Sequence, residues 1–226
     1  MGQAVTAFLV VLALALAVAV IALWLRLRQA VQREALQALA ARRGWGLTFV
    51  GQRLGQPSVL RLSPRAGVSW TVTVRGEETG VALLQSAPQS TEFVADEPRW
   101  DDGLLIVAPP WPPEEPGTEQ PDLPGSRAQL ARLIGDELAG YSEVLRAYPS
   151  PPGLTILASA DPAHRADLGD LAKAYAGWGM KAAGPDGFPI LVLGKEGLRV
   201  RLRHGTRRAD HMEGFIDFAL DLSRIL

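Results

Sequence analysis

The chain has 226 residues, of which 47% are apolar, 21% charged and 7% aromatic. At roughly 150 residues per domain this allows one domain with extensions, or two small halves. Its 23 basic and 24 acidic residues nearly cancel, so global charge does not point to nucleic acid. The absence of cysteine excludes a disulfide scaffold, thiol catalysis and zinc–thiolate sites. Three histidines leave little material for metal or acid/base chemistry.

The first pattern in chain order is an uncharged apolar run over residues 4–25, behind a short tail of residues 1–3. A helix of that length rises about 33 Å, against a bilayer core of about 30 Å. Trp24 closes the run, and Arg26 and Arg28 follow it as an interfacial flank. A cleaved signal peptide fits less well, because the basic n-region is missing and the run is too long. The expectation is a retained single-pass transmembrane helix. Arg26, Arg28, Arg33, Arg42 and Arg43 follow the run, so the positive-inside bias puts the N-terminus outside and the rest in the cytoplasm. Arginine supplies 20 of the 23 basic residues, a bias that fits a high-GC bacterial genome and hence a plasma (inner) membrane.

Past the anchor the charge is unevenly spread. Residues 1–86 carry 9 basic and 3 acidic groups, residues 87–125 carry 1 and 9, and residues 126–226 carry 13 and 12. The middle stretch also holds nine of the seventeen prolines, so residues 109–125 read as a proline-rich acidic linker. Residues 26–43 continue as a juxtamembrane helix stopped by Gly44. A first half over 44–108 contains a strand in which Val68, Trp70, Val72 and Val74 alternate with polar residues. Gly76 to Gly80 then turns the chain into Val81–Leu84 as a hairpin. Leu104 to Ala108 reads as a buried strand.

The second half, 126–226, opens on the capping box Ser126-x-x-Gln129 and a helix reaching Leu145. A strand follows over Thr155 to Ala158, and Asp161-Pro162 starts a helix carrying Leu168, Leu171, Ala172 and Tyr175. Strands over Ile190 to Leu193 and Leu198 to Leu202 flank a Gly-Lys-Glu-Gly turn. The last helix, from about Arg207, buries Met212, Phe215, Ile216, Ala219 and Leu222. Helices beside antiparallel-looking hairpins make the class α+β. Gly44-Trp45-Gly46 recurs as Gly177-Trp178-Gly179 with Pro57 and Pro189 in matching places. This suggests two repeated helix–strand–strand–helix halves.

No phosphate loop, dinucleotide fingerprint, nucleophile elbow or zincin helix is present. Acidic pairs such as Glu77-Glu78 and Asp101-Asp102 read as solvated turns. His204, His211 and Glu213 are the best metal grouping, but Asp210 and Glu213 read more simply as a capping box. No catalytic, cofactor or metal residue is therefore assigned. The informative feature is basic: Arg199, Arg201 and Arg203 alternate with apolar residues and share one face of a strand, and Arg207 and Arg208 extend the patch. Such a patch suits the acidic linker, anionic headgroups or an acidic partner. Trp111 in the linker is a further candidate contact.

The reading these observations favour is an anchored protein with a cytoplasmic interaction domain, an accessory, assembly or scaffold subunit of a membrane complex. Its partners are the lipid bilayer and a protein of that complex, with no cofactor and no nucleic acid. The alternatives are a tethered small-ligand sensor or enzyme with its site between the halves, or anionic-lipid binding through the arginine strand.

Overall fold

The structure is a computed structural model that describes residues 2–50, 58–75, 90–109, 144–179 and 187–226, with side chains of the first helix chiefly from Leu16 onward. The hairpin turn at Gly76 to Gly80, Val81–Leu84, the acidic linker with Trp111, and the helix opening at Ser126 lie outside the described residues.

The elements in chain order are α1 (Gly2–Arg43), β1 (Trp45–Val50), β2 (Val59–Pro64), β3 (Trp70–Arg75), β4 (Ser90–Ala95) and β5 (Leu105–Ala108). After them come β6 (Arg146–Tyr148), β7 (Thr155–Ala158), a 3-10 turn (Pro162–His164), α2 (Leu168–Gly179), β8 (Ile190–Gly194), β9 (Gly197–Leu202) and α3 (Ala209–Ile225). All nine strands join one sheet in the order β1-β2-β3-β4-β9-β8-β5-β7-β6, and every pairing is antiparallel.

This topology overturns the expected arrangement in two repeated halves. β4 pairs with β9, and β5 sits between β8 and β7, so strands from both ends of the chain interleave in one layer. The two Gly-Trp-Gly segments also differ in kind. Gly44 takes φ +70°, a left-handed conformation that ends α1, and Trp45 opens a strand. Gly177-Trp178-Gly179 forms the end of α2 itself. The expected α+β pair of modules is thus a single nine-stranded antiparallel sheet with a few helices.

The transmembrane helix is a second correction. Among the described residues, no helix is long and apolar enough to cross a membrane. The outside N-terminus, the cytoplasmic domain and the inner-membrane placement all rested on that span and fall with it. From Leu36 onward α1 joins the domain: Leu36, Leu39 and Ala40 are buried, whereas Leu16, Val20, Leu23, Leu27 and Val31 are each more than half exposed.

The main core lies between one face of the sheet and the helices. Alternation supplies it from each strand: Leu60 and Leu62, Val72 and Val74, Phe93 and Ala95, Leu198 and Val200. α3 contributes the expected stripe, with Met212, Phe215, Ile216, Ala219 and Leu222 fully buried. Aromatic pairs set two anchors in this layer. Trp45 meets Trp70 edge-on at 5.4 Å and Trp70 stacks on Phe93, while Tyr175 packs between Phe188 and Phe218. Ion pairs from Arg42 to Glu213 (2.8 Å) and from Arg43 to Glu213 and Asp217 tie α1 to α3.

A smaller apolar cluster, Leu104, Ile106, Leu145, Leu157, Ile190 and Val192, occupies the opposite face of the sheet. It explains why Leu104 to Ala108 is apolar throughout: β5 is buried on both faces. The helix expected from Pro162 begins later than its proline. Asp161 accepts from Ala163 N to cap the 3-10 turn, and Asp167 accepts from Gly169 and Asp170 to cap α2.

Candidate interaction surface

Among the described residues, no second apolar cluster covers the face of β1–β4 and β9 opposite the main core. Parity decides what it displays. Each side chain between two core residues points the other way, so this face carries Thr48, Arg61, Ser63, Thr71, Thr73, Arg75, Ser90, Glu92, Arg199 and Arg201, with Val50, Val59 and Val94 among them. The register then aligns them into rows. Thr48, Arg61, Thr73, Glu92 and Arg201 stand side by side across five strands, close enough for neighbours to interact.

Of the five arginines singled out from sequence, the structure places three on this face. Arg201 donates to Glu92 at 3.0 Å, and Glu92 is itself only 16% exposed, so this pair is partly shielded from water. Arg199 donates to Glu196 in the β8–β9 turn at 2.5 Å. Arg203 follows the end of β9 and is exposed, with no ion pair to another described residue.

The other two arginines have local duties. Arg207 donates to Ser58 Oγ at 3.0 Å, beside the start of β2. Arg208 is the residue preceding α3 and pairs with Asp210 at 2.7 Å. That hydrogen bond holds the Asp210 carboxyl below its ordinary range and raises the Arg208 guanidinium. Asp210 therefore sits inside the first turn, and the capping box expected of Asp210 and Glu213 is replaced by Arg208 with no side-chain cap. Glu213 is used instead by Arg42 and Arg43. Among the described residues no cluster suits a metal ion.

Two arginines of this face were missed in the sequence, Arg61 and Arg75. The signal for Arg61 was present in Val59-Leu60-Arg61-Leu62, one apolar alternation with a cation on its outer beat. Arg75 closes the alternation of β3. Both are exposed. The loop that carries Arg203 to Arg207 is positioned from below by Thr91, which is fully buried. Its hydroxyl donates to His204 O at 3.0 Å and accepts from Thr206 N at 2.8 Å.

Trp24 and Arg28, expected as interfacial anchors, lie on the exposed stretch of α1, with the Arg28 guanidinium 5.4 Å from the indole centre. They are remote in sequence from the sheet face. Trp45 is buried in the main core and Trp178 packs against Phe215 and Phe218, so these indoles have structural roles. His164 is an exposed surface residue, its side chain 88% accessible.

One cavity of about 520 Å³ opens beside the β8–β9 turn. Leu104 and Val192 form its buried side, and Asp101, Asp102, Lys195, Glu196 and Arg199 bring both charge signs to it. The turn is conformationally fixed at Gly197, whose φ of +101° and contact with the Ala95 carbonyl leave no room for a Cβ. No protein-family model, curated protein or solved structure matches this chain.

Proposed function

We propose that the chain is a binding module, an accessory or scaffold component that docks an acidic protein surface on the open face of its sheet. One observation carries this reading. Arg61, Arg75, Arg199, Arg201 and Arg203 project from that face, and Glu92 and Glu196 are the acids that answer them among the described residues. The surrounding threonines and serines add hydrogen-bonding groups on a rigid scaffold. Among the described residues this face has no aromatic platform, which disfavours a stacked nucleic-acid strand.

The test is purification of the tagged full-length chain with identification of co-eluting proteins, repeated with Arg61→Ala, Arg75→Ala and Arg203→Ala combined. At about 0.5–1 kcal/mol per exposed charge pair, the triple variant is expected to bind about 10- to 150-fold more weakly, and more so at low salt. A stoichiometric partner that binds both forms equally overturns the reading. Loss of binding to anionic vesicles, with no protein partner in either form, reassigns the face to lipid.

The cavity supports a second reading, a small polar ligand held beside the β8–β9 turn. A thermal-shift screen of the full chain against nucleotides, metals and phosphorylated metabolites tests it. A shift abolished by Lys195→Ala favours it, and no shift across the set rejects it.

A further inference from the structure

The two edges of the sheet are built differently. β6 is three residues long, carries Arg146, and runs into Pro149 and the Pro151-Pro152 pair. Ser150 folds back on it, donating to Tyr148 O at 2.9 Å and accepting from Ile156 N at 3.0 Å. Shortness, charge and proline are the usual defences of an edge against pairing with another chain. β1 has none of them. It is six residues long, Trp-Gly-Leu-Thr-Phe-Val, without a charge or proline, and its register with β2 is regular along its whole length.

The register also shows which backbone groups β1 leaves facing outward. Arg65 N donates to Gly44 O, so Gly44, Gly46, Thr48 and Val50 belong to the hydrogen-bonded pairs with β2. Trp45, opposite Pro64, belongs to the alternate set, which is consistent with a residue that has no N–H to give. Trp45, Leu47 and Phe49 therefore turn their N–H and C=O groups to the side of β1 on which no described strand lies.

We propose that β1 pairs with β1 of a second copy of this chain, antiparallel about a two-fold axis at Leu47. In that register Leu47 faces its own copy and Trp45 faces Phe49, so every outward N–H and C=O of the three residues finds a partner. Their side chains stay on the helix-covered side, where Leu47 already packs on the core, and give an apolar and aromatic seam. Phe49 and Val50 are 39% and 49% exposed in one copy. Val31 of α1 is exposed as well, and nearby Arg33 lies 4.3 Å over the Phe49 ring, so the edge and this turn of α1 form one patch.

Charge permits the self-pairing. The strand itself is neutral, and the two Arg61 side chains stand three strand spacings apart, about 14 Å, beyond the Debye length of about 8 Å at physiological salt. Arg33 lies over Phe49 and Arg43 over Trp45, so the register that sets Trp45 against Phe49 brings these two cations toward each other, and Arg43 is already paired with Glu213 and Asp217. Pairing joins the two arginine faces into one continuous surface.

The chain has no natural cysteine, so a nitroxide at Thr48→Cys reads the contact directly in the full-length protein. Thr48 and its copy lie diagonally across the axis, with backbones about 7–8 Å apart. Thr73→Cys, two strands further in, places labels about 24 Å apart. The expected result is a two-fold mass by light scattering, with strong dipolar broadening at Thr48 and little at Thr73. Leu47→Pro removes an outward N–H and leaves the β2 ladder intact. Phe49→Glu removes the ring but gives Arg33 a local partner, which protects folding. Both are expected to halve the mass while retaining a cooperative melt. A monomeric wild type overturns the proposal, as does a dimer without broadening at Thr48, which would place association elsewhere, such as the exposed stretch of α1.

Discussion

The sheet contains two regions that solve burial differently. β5, β7 and β8 are apolar on both faces, with Ile106, Leu157 and Ile190 in the smaller cluster and Leu105, Ile156 and Leu191 in the main core. β1–β4 and β9 are apolar on one face and mostly polar on the other, where arginine, threonine and serine stand beside Glu92 and three valines. The first region is committed to stability. The second is stabilised from one side, so substitutions on its open face are free to serve recognition.

The largest effects expected of this comparison come from truncations at matched depth in the sheet. Ile106 is fully buried and Ile106→Ala is expected to cost about 2–5 kcal/mol by transfer and cavity terms. Thr73→Ala on the open face should stay within about 0.5 kcal/mol, as should Leu27→Ser on exposed α1. Urea unfolding of the three variants checks this. A cost above 2 kcal/mol for Thr73→Ala would mean that this face is also covered.

The difference between these regions was partly legible in the sequence. Alternation marked β3 and β9, and the unbroken apolar run marked β5, because both patterns follow from which faces meet water. The face of α3 was legible for the same reason. Strand order was not. Nothing local in Phe93 or Val200 says that β4 and β9 become neighbours, since that pairing closes a loop of about a hundred residues. The apparent repeat misled because Gly-Trp-Gly has no single conformation. After α1 the glycine takes a left-handed cap, whereas at the end of α2 the same triplet stays helical. The apolar run of α1 misled through a span set by length and hydropathy alone. The arginine-bearing face was half legible: Arg199, Arg201 and Arg203 were visible as a strip, but Arg61 and Arg75 join them only through the register.

A mid-sized effect is expected where a polar side chain crosses to the covered side. Thr91 lies among core residues and positions the loop that carries Arg203 and Arg207. Thr91→Val keeps the shape and strands the buried Thr206 N–H, at an expected cost of about 1–3 kcal/mol. Thr91→Ser keeps the hydroxyl and should lose about 1 kcal/mol or less. The pair of melts, with amide exchange at Thr206, separates hydrogen bonding from packing. Equal losses in both variants would assign the position to packing alone.

The smallest effect at neutral pH is expected at Tyr175, another polar group set deep under the sheet. Its hydroxyl is buried, and among the described residues it makes no hydrogen bond of standard geometry. Burial pushes the phenol well above the usual tyrosine range, offset slightly by the nearby Leu191 backbone. Tyr175→Phe removes a buried hydroxyl that has at most a weak partner in the Leu191 backbone and keeps the ring between Phe188 and Phe218, so at pH 8 it should be neutral or slightly stabilising. The sign at high pH follows from linkage. A folded-state pKa above the unfolded value of about 10 leaves stability intact below pH 10, and it falls by about 1.4 kcal/mol per pH unit above that. Between pH 8 and pH 11 the wild type should therefore lose about 1 kcal/mol more than Tyr175→Phe, measured as urea midpoints at both values. Parallel losses in the two proteins would mean that the phenolate is accommodated, and that the layer around Tyr175 is open to water in a way its packing does not suggest.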